Sequence, residues 1–389
     1  MIRIAATGIG VLASAGVGRE DFWKALLAGG RGPSKVEGWT LRPGAPELVF
    51  QVPEFDTKKW IAPAAIRRLD RTGVFAIVSA KLALADARLD VPLHRVAIVV
   101  GAGGCGVTTT TGFHKRLVET AGTDPNPMAF PNTVPNAAAG QLAIATGITG
   151  FNTTLVQTGA SGEEAIALAA DLLAAGRCDA AIAGGIDELS SMMHHALHRL
   201  GGLSRTGCRP FDRGADGTIL AEDAGLIVLE RLDEARKRGA RVLAELAGYG
   251  RASSPARPLA YGPAGAAVSA ITSALARAGV AASDVAWINS AANGAADARC
   301  AAAIREALPR AAVSSIAGAC GEGLAIGGVR AAASVCAVAE GTIPPTANLR
   351  EPAFDLDFVS EPRPLKGAAV QHGAGTGGVD LAIVWRRHD

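Results

Sequence analysis

The chain has 389 residues, 49% of them hydrophobic and 19% charged, with 38 Lys and Arg against 36 Asp and Glu for a net charge of +2. That composition supports a large buried core and excludes a disordered chain, and the even charge without a basic block argues against nucleic acid as a partner. The six scattered cysteines form no CxxC pair, which fits a reduced, cytoplasmic protein. No apolar run reaches the ~18 residues of a membrane span.

The opening MIRIAATGIGVLASAG has the apolar character of a secretory leader, but Thr7, Gly8 and Gly10 interrupt it and a strand and turn are expected instead. RVAIVVGAGG reads as a strand. The following Gly101–Gly106 fits GxGxxG, yet a dinucleotide site needs an acid at the end of the next strand, about 20 residues on. VTTTTGFHKRL and a Gly/Pro/Asn-rich loop follow instead, so a close-packed turn is expected.

TLVQTGASGEEAIALAADLLAAGRCDAAIAGG, residues 154–185, reads as strand, turn, helix, strand, with the turn at Gly159–Gly162 and the helix from Glu163 to Ala175. A helix opening directly after a strand aims free N–H groups and a positive dipole end at the turn, where an enzyme seats a thiolate or hydroxyl nucleophile. The tip of this turn is Gly159. Ser161 sits in a near miss of GxSxG, with Glu163 in place of the last glycine.

His194 and His198 have the i, i+4 spacing of zinc ligands, and with His195 they are expected to be surface or interface residues, since no HExxH glutamate lies between them. Asp212, Asp216, Glu222 and Asp223 match no EF-hand spacing and suggest a charged hairpin turn. DVAWINSA, AAVSSIAGA and LAIVW are further strand-like runs, and His372 is expected to be a hydrogen-bonded loop residue. Buried strands between Ala-rich helices imply a layered α/β fold. Gly159–Glu163 is echoed by Gly318–Glu322, and each is followed by an Ala-rich helix, ending at Gly176 and Gly341. The echo implies two pseudo-duplicated halves, 1–240 and 241–389, with their turns facing one cleft.

These segments together resemble the β-ketoacyl synthases of the thiolase fold, from RIAATGIGVLASAG through FPNTVPNAAAGQLAIATGITG and PFDRGADGTILAEDAGLIVLERLDEARKRGA to GTIPPTANLREPAFDLDFV and GAGTGGVDLAIVW. The resemblance implies an α-β-α-β-α layered fold. It also implies a Cys, a His, a Lys and a second His at the catalytic places, which this chain fills with Gly159, Ala291, Ile316 and Gly321. Thr376 stands where the resemblance implies an acyl-gating Phe. Thioester condensation needs a thiolate to hold the acyl chain and donors to hold the developing oxyanion, and Gly, Ala and Ile supply neither.

Relatives that keep the fold without its chemistry are the chain length factors of type II polyketide synthases. The resemblance thus implies a heterodimer with an active ketosynthase, an acyl carrier protein as donor, and a growing acyl chain in a tunnel along the shared interface. Met128, Ala129 and Phe130 are the candidates for the tunnel floor. No metal or organic cofactor enters this reading. The rival reading is an active acyltransferase or hydrolase with a displaced nucleophile, Ser161 or Cys320.

Overall fold

Strand-forming runs and Ala-rich helices alternate along the chain, and they resolve into one long sheet whose two ends repeat each other. The computed structural model describes residues 3–257 and 259–388. Five strands come from the first part of the chain: β1 (Ile4–Ala13), β2 (Val96–Ala102), β3 (Asn152–Leu155), β4 (Ala180–Asp187) and β5 (Asp223–Arg231). Five come from the second: β6 (Ala244–Ser253), β7 (Val285–Asn289), β8 (Ala312–Ser314), β9 (Ala368–Gly375) and β10 (Val379–Arg386). Their order is β8-β7-β9-β10-β6-β1-β5-β4-β2-β3, with a two-residue strand, Gly16–Val17, paired to β1. The first set therefore runs 1-5-4-2-3 and the second 6-10-9-7-8.

The pairing senses repeat as well. β2 is parallel to β3 and β4, as β7 is to β8 and β9, while β5 and β10 pair antiparallel with their neighbours. The two sets join where β1 and β6 pair antiparallel, Ile4 opposite Leu246 and Ala6 opposite Ala244.

Helices fill three layers around these strands. On the outside of the first set lie α1 (Arg71–Ala87) and, beyond α2 (Val107–Glu119), α3 (Ala137–Thr146). The middle layer holds α4 (Ser161–Ala174), and a short surface helix, α5 (Ser191–Arg199), follows it in the chain. The second set is covered outside by α6 (Ala264–Ala278) and α7 (Asp297–Ala307), and α8 (Gly327–Glu340) joins α4 in the middle. The core splits accordingly into a central cluster drawing on both halves and two outer clusters. The predicted leader-like segment is β1, buried along its whole length.

The outer helices sit close because the strands beneath them carry glycine at matching places. A Cβ at Gly10 would lie 1.7 Å from the Ser79 carbonyl oxygen of α1, and one at Gly250 would lie 2.1 Å from that of Ala270 on α6. Gly10→Val should therefore be destabilising by about 1–3 kcal/mol through overpacking. Gly265→Ala, in the first turn of α6 with open space around it, should be neutral or slightly stabilising. Chemical denaturation of the two variants beside the wild type checks the contrast.

Candidate functional site

The β3–α4 connection is the turn that the sequence singles out. β3 ends at Leu155, earlier than the predicted Gln157, and α4 begins at Ser161, before the predicted Glu163. Thr158 holds a left-handed backbone, φ 48°, which is strained for a β-branched residue. Its hydroxyl donates to the Thr376 carbonyl at 3.3 Å, so the closing Gly-rich loop rests on this turn and Thr376 is brought beside Gly159. A Cβ at Gly159 would fall 2.5 Å from the Ala374 carbonyl oxygen. The turn carries no reactive group and leaves no room for one unless the end of β9 moves.

Ser161 has its hydroxyl turned into the interior. It is fully buried, its hydroxyl donates to Thr158 O and Ala102 O, and it accepts from the Gln157 amide at 2.8 Å. Cys320 is equally buried, and burial first, then Asp223, pushes its thiol well above the usual range. Both candidates of the rival reading are thus buried in the interior.

The other catalytic places that the resemblance singles out are also buried. Ala291 and Ala292 are buried in the outer core of the second half. Ser315 donates to the Ala292 carbonyl at 2.6 Å, tying the segment after β7 to the one after β8. Ile316 packs into the central core. Gly321 has φ 75°, and a Cβ there would point at Phe50 and Ala221, 2.5 and 2.9 Å away. A side chain at 321 thus faces the Phe50 cluster, and the charged group of this turn is its neighbour, Glu322. The predicted echo also needs correction. Gly318–Glu322 does not open the long helix, because a short helix (Ala317–Cys320) and a further turn come before α8 at Gly327.

What the four segments surround is a buried ion network. Arg330 on α8 donates to Glu163 on α4 at 2.6 Å, and its second nitrogen lies 3.7 Å from Glu322. Gln371 donates from its amide to Glu163 at 3.1 Å and to the Gly327 carbonyl at 2.9 Å, while Trp385 donates to its oxygen at 3.0 Å. Burial pushes the Glu322 carboxyl up to about 7, against the pull of Arg330. Glu163 and Glu322 each end a copy of the echoed turn, but the motif does not signal their shared partner, and no motif includes Arg330. The available signal is that Glu163 and Arg330 interrupt otherwise Ala-rich helices that have to be buried.

The remaining motifs fall into place by geometry. The Gly103 and Gly104 amides donate to Asp187, so the GxGxxG turn serves a carboxylate of its own chain. His194 is fully buried and set edge-on to Trp39, which corrects the surface expectation for it. His372 lies in β9 rather than in a loop and pairs with Asp380 at 2.9 Å. Asp212, Asp216 and Glu222 hold separate partners: the Arg350 and Glu351 amides, Ser204, and Arg71 respectively. Among the described residues no group of three or more His, Cys, Asp or Glu side chains is placed to hold a metal ion.

Met128 and Phe130 are 62% and 61% exposed, and Ala129 is half-buried. Met128 lines an open apolar groove of about 580 Å³ with Ile61, Leu69 and Ile144, and Phe130 stacks on Phe113. The groove is open to the surface. Close by in the sheet, the outer edge of β3 has no strand partner among the described residues, whereas the matching edge of β8 is covered by 357–359.

Two stability effects follow from the site. Gly159→Cys should cost about 1–3 kcal/mol by overpacking against Ala374. Arg330→Ala, which strands a buried carboxylate, should cost about 3–5 kcal/mol, and the double variant Glu163→Gln, Arg330→Met should cost clearly less. Denaturant titration of the three variants measures both.

A β-ketoacyl synthase N-terminal domain matches residues 1–235 and the C-terminal domain of the same enzymes matches 243–350. The 3-oxoacyl-[acyl-carrier-protein] synthase 2 of Staphylococcus aureus (strain MRSA252) is 31% identical over 411 residues, spanning 100% of this chain and 99% of the relative. The putative polyketide beta-ketoacyl synthase 1 of Streptomyces virginiae is 32% identical over 412 residues, spanning 98% and 97%. Among solved structures, the ishigamide ketosynthase/chain length factor superposes with a TM-score of 0.92 at 25% identity, with 100% of each chain covered. With the duplicated sheet and the turn ahead of α4, these matches place the chain in the β-ketoacyl synthase family.

Proposed function

We propose that this chain is a non-condensing ketosynthase homologue that works as a chain length factor. It pairs with a Cys-bearing ketosynthase and shapes the acyl tunnel while the partner condenses units delivered by an acyl carrier protein. The observation that carries the reading is the turn at Gly159, which has neither a nucleophile nor space for one. Around it, Ala291 and Ile316 are packed apolar side chains and the Arg330 guanidinium is engaged by Glu163. Loss of a single oxyanion donor costs about 10²–10³ in rate, so a site lacking donor, base and nucleophile has no route to condensation.

The bare β3 edge supports the pairing. Unpaired strand edges are a liability in a monomer, and the surface beside this one is apolar, with Ile144 86% and Val156 56% exposed. A permanent interface there would bury on the order of 2,000–5,000 Å². Met128 and Phe130 are exposed, with Ala129 half-buried between them. In this reading, with Thr376 beside the turn, they become tunnel-lining residues once the partner closes over them.

Co-expression with an intact ketosynthase, followed by light scattering and mass spectrometry of carrier-bound products, tests the proposal. A 1:1 heterodimer and condensation only by the pair are expected. Each added CH₂ gains about 0.8 kcal/mol on burial and overpacking costs about 1–3 kcal/mol, so the length cutoff should be sharp. Ala129→Trp should shorten the product, and Met128→Ala or Phe130→Ala should lengthen it. A stable monomer indifferent to the ketosynthase, or an acyl adduct on this chain alone after incubation with acyl carrier protein, would overturn the reading.

A further inference from the structure

Opposite the ion network, on the adjoining strands β4 and β5, two more carboxyls are buried side by side. Asp187 and Asp223 are register partners, 2% and 1% exposed. Asp187 is saturated with donors: the Gly103 and Gly104 amides serve one oxygen and the Ala325 amide the other. Through these bonds it ties the turn after β2 to the turn before α8, one from each half of the fold. Asp223 is the opposite case, with both oxygens buried and no hydrogen-bond donor. Both side chains look into the space left by the missing side chain of Gly323, where a Cβ would lie 2.2 Å from Asp223 Oδ2 and 3.3 Å from Asp187 Oδ2.

A buried carboxylate without a donor is far more costly than a buried carboxylic acid. The geometry points to a carboxylic acid–carboxylate pair in which Asp223 carries the proton and presents it to Asp187, clamping the turn that bears Glu322 to the first half of the chain. Loss of that proton would leave two like charges facing each other at Gly323 and loosen the clamp, so the two halves are held together in a pH-dependent way. The groups around the pair are Glu222 and Glu188 on its own strands and their flanks, Glu322 and Cys320 on the clamped turn, Arg330 on α8, and Cys105 beside Asp187. Arg330 is the one cation among them, and it is engaged by Glu163.

Burial pushes Asp187 from the usual 3.8 up to about 7, and burial together with Asp187 and Glu322 pushes Asp223 up further. A group that holds its proton more tightly when folded adds stability that is complete below its unfolded pKa and lost as pH rises through its folded one. The pair's contribution is therefore complete below about pH 4 and is lost as pH climbs through the raised range of Asp223, which lies above that of Asp187. Glu188 and Glu322 also titrate near 7, so only a difference between variants isolates the pair. Asp223→Asn keeps the shape, cannot ionise, and donates to Asp187 at every pH.

The test is thermal unfolding of the full chain, wild type against Asp223→Asn, across the range from mildly acid to mildly alkaline. The variant's midpoint should gain on the wild type as pH rises, opening a gap of roughly 3 °C or more on the alkaline side. A gap that stays constant with pH overturns the proposal. Should the variant fail to fold, infrared spectroscopy of the wild type at neutral pH reads the proton directly: a protonated carboxyl band is expected, and its absence overturns the proposal. Exchanging sodium for potassium or choline at fixed ionic strength should leave the alkaline midpoint unmoved, and a selective rise with one cation would show an ion, not a proton, between the carboxyls.

Discussion

The fold depends on the crossing of its two central helices. α4 and α8 come from different halves, and they touch backbone to backbone: a Cβ at Gly162 would lie 2.5 Å from the Gly328 amide nitrogen. Helix axes usually pack 8–10 Å apart because side chains hold them there, and only glycine at both contact points permits a closer approach. One residue beyond Gly162 and two beyond Gly328 stand Glu163 and Arg330, whose bond closes the crossing electrostatically. Gly327 and Gly373 leave the slot in which the carboxylate lies, a Cβ at Gly373 falling 2.4 Å from Glu163 Cδ. Residues far apart in the sequence thus depend on one another for a single buried contact.

That contact also explains why the site reads as it does. A buried ion pair is often no more stabilising than an apolar pair of the same volume, while a half-broken one is costly. Gln371 adds a second donor to the bonded carboxylate oxygen and is itself held by Trp385, while Glu163 Oε2 and Arg330 Nε find no hydrogen-bond partner among the described residues. The Glu163–Arg330 bond thereby ties a helix of the first half to one of the second. The same economy shows at the GxGxxG turn, whose amides go to Asp187 and not to an anion from solution.

Much of the architecture was legible because strands and helices here are strongly patterned. The buried strands, the Ala-rich helices and the duplication all follow from periodicity, and α4 and α8 are of equal length, 14 residues each. The local echo Gly318–Glu322 misled for a physical reason. The second half inserts the 317–326 excursion before its long helix, and a short glycine motif cannot distinguish a helix start from a turn that precedes one. His194 misled in a similar way, since a polar residue on an amphipathic-looking helix reads as exposed until the 34–49 segment, with Trp39, is folded over it. The role of Glu322 was invisible because it comes from Arg330 and from burial, neither of which is local in sequence.

The duplication finally accounts for the asymmetry on which assembly turns. Two copies of one strand order should leave two equivalent free edges, at β3 and β8. At β8 the chain covers its own edge, with the Val313 amide donating to Asp357 and Val359 donating back to Val313, both within hydrogen-bond distance at 2.8 and 3.0 Å. At β3 no such segment arrives, and the residues beyond it, Phe151 and Val156, stay exposed beside Ile144. A fold that seals one of two equivalent edges and leaves the other apolar and open is asymmetric where a second protein of the same shape could add its strand. Met128 and Phe130 are exposed as well, and Met128 shares an apolar groove with Ile144.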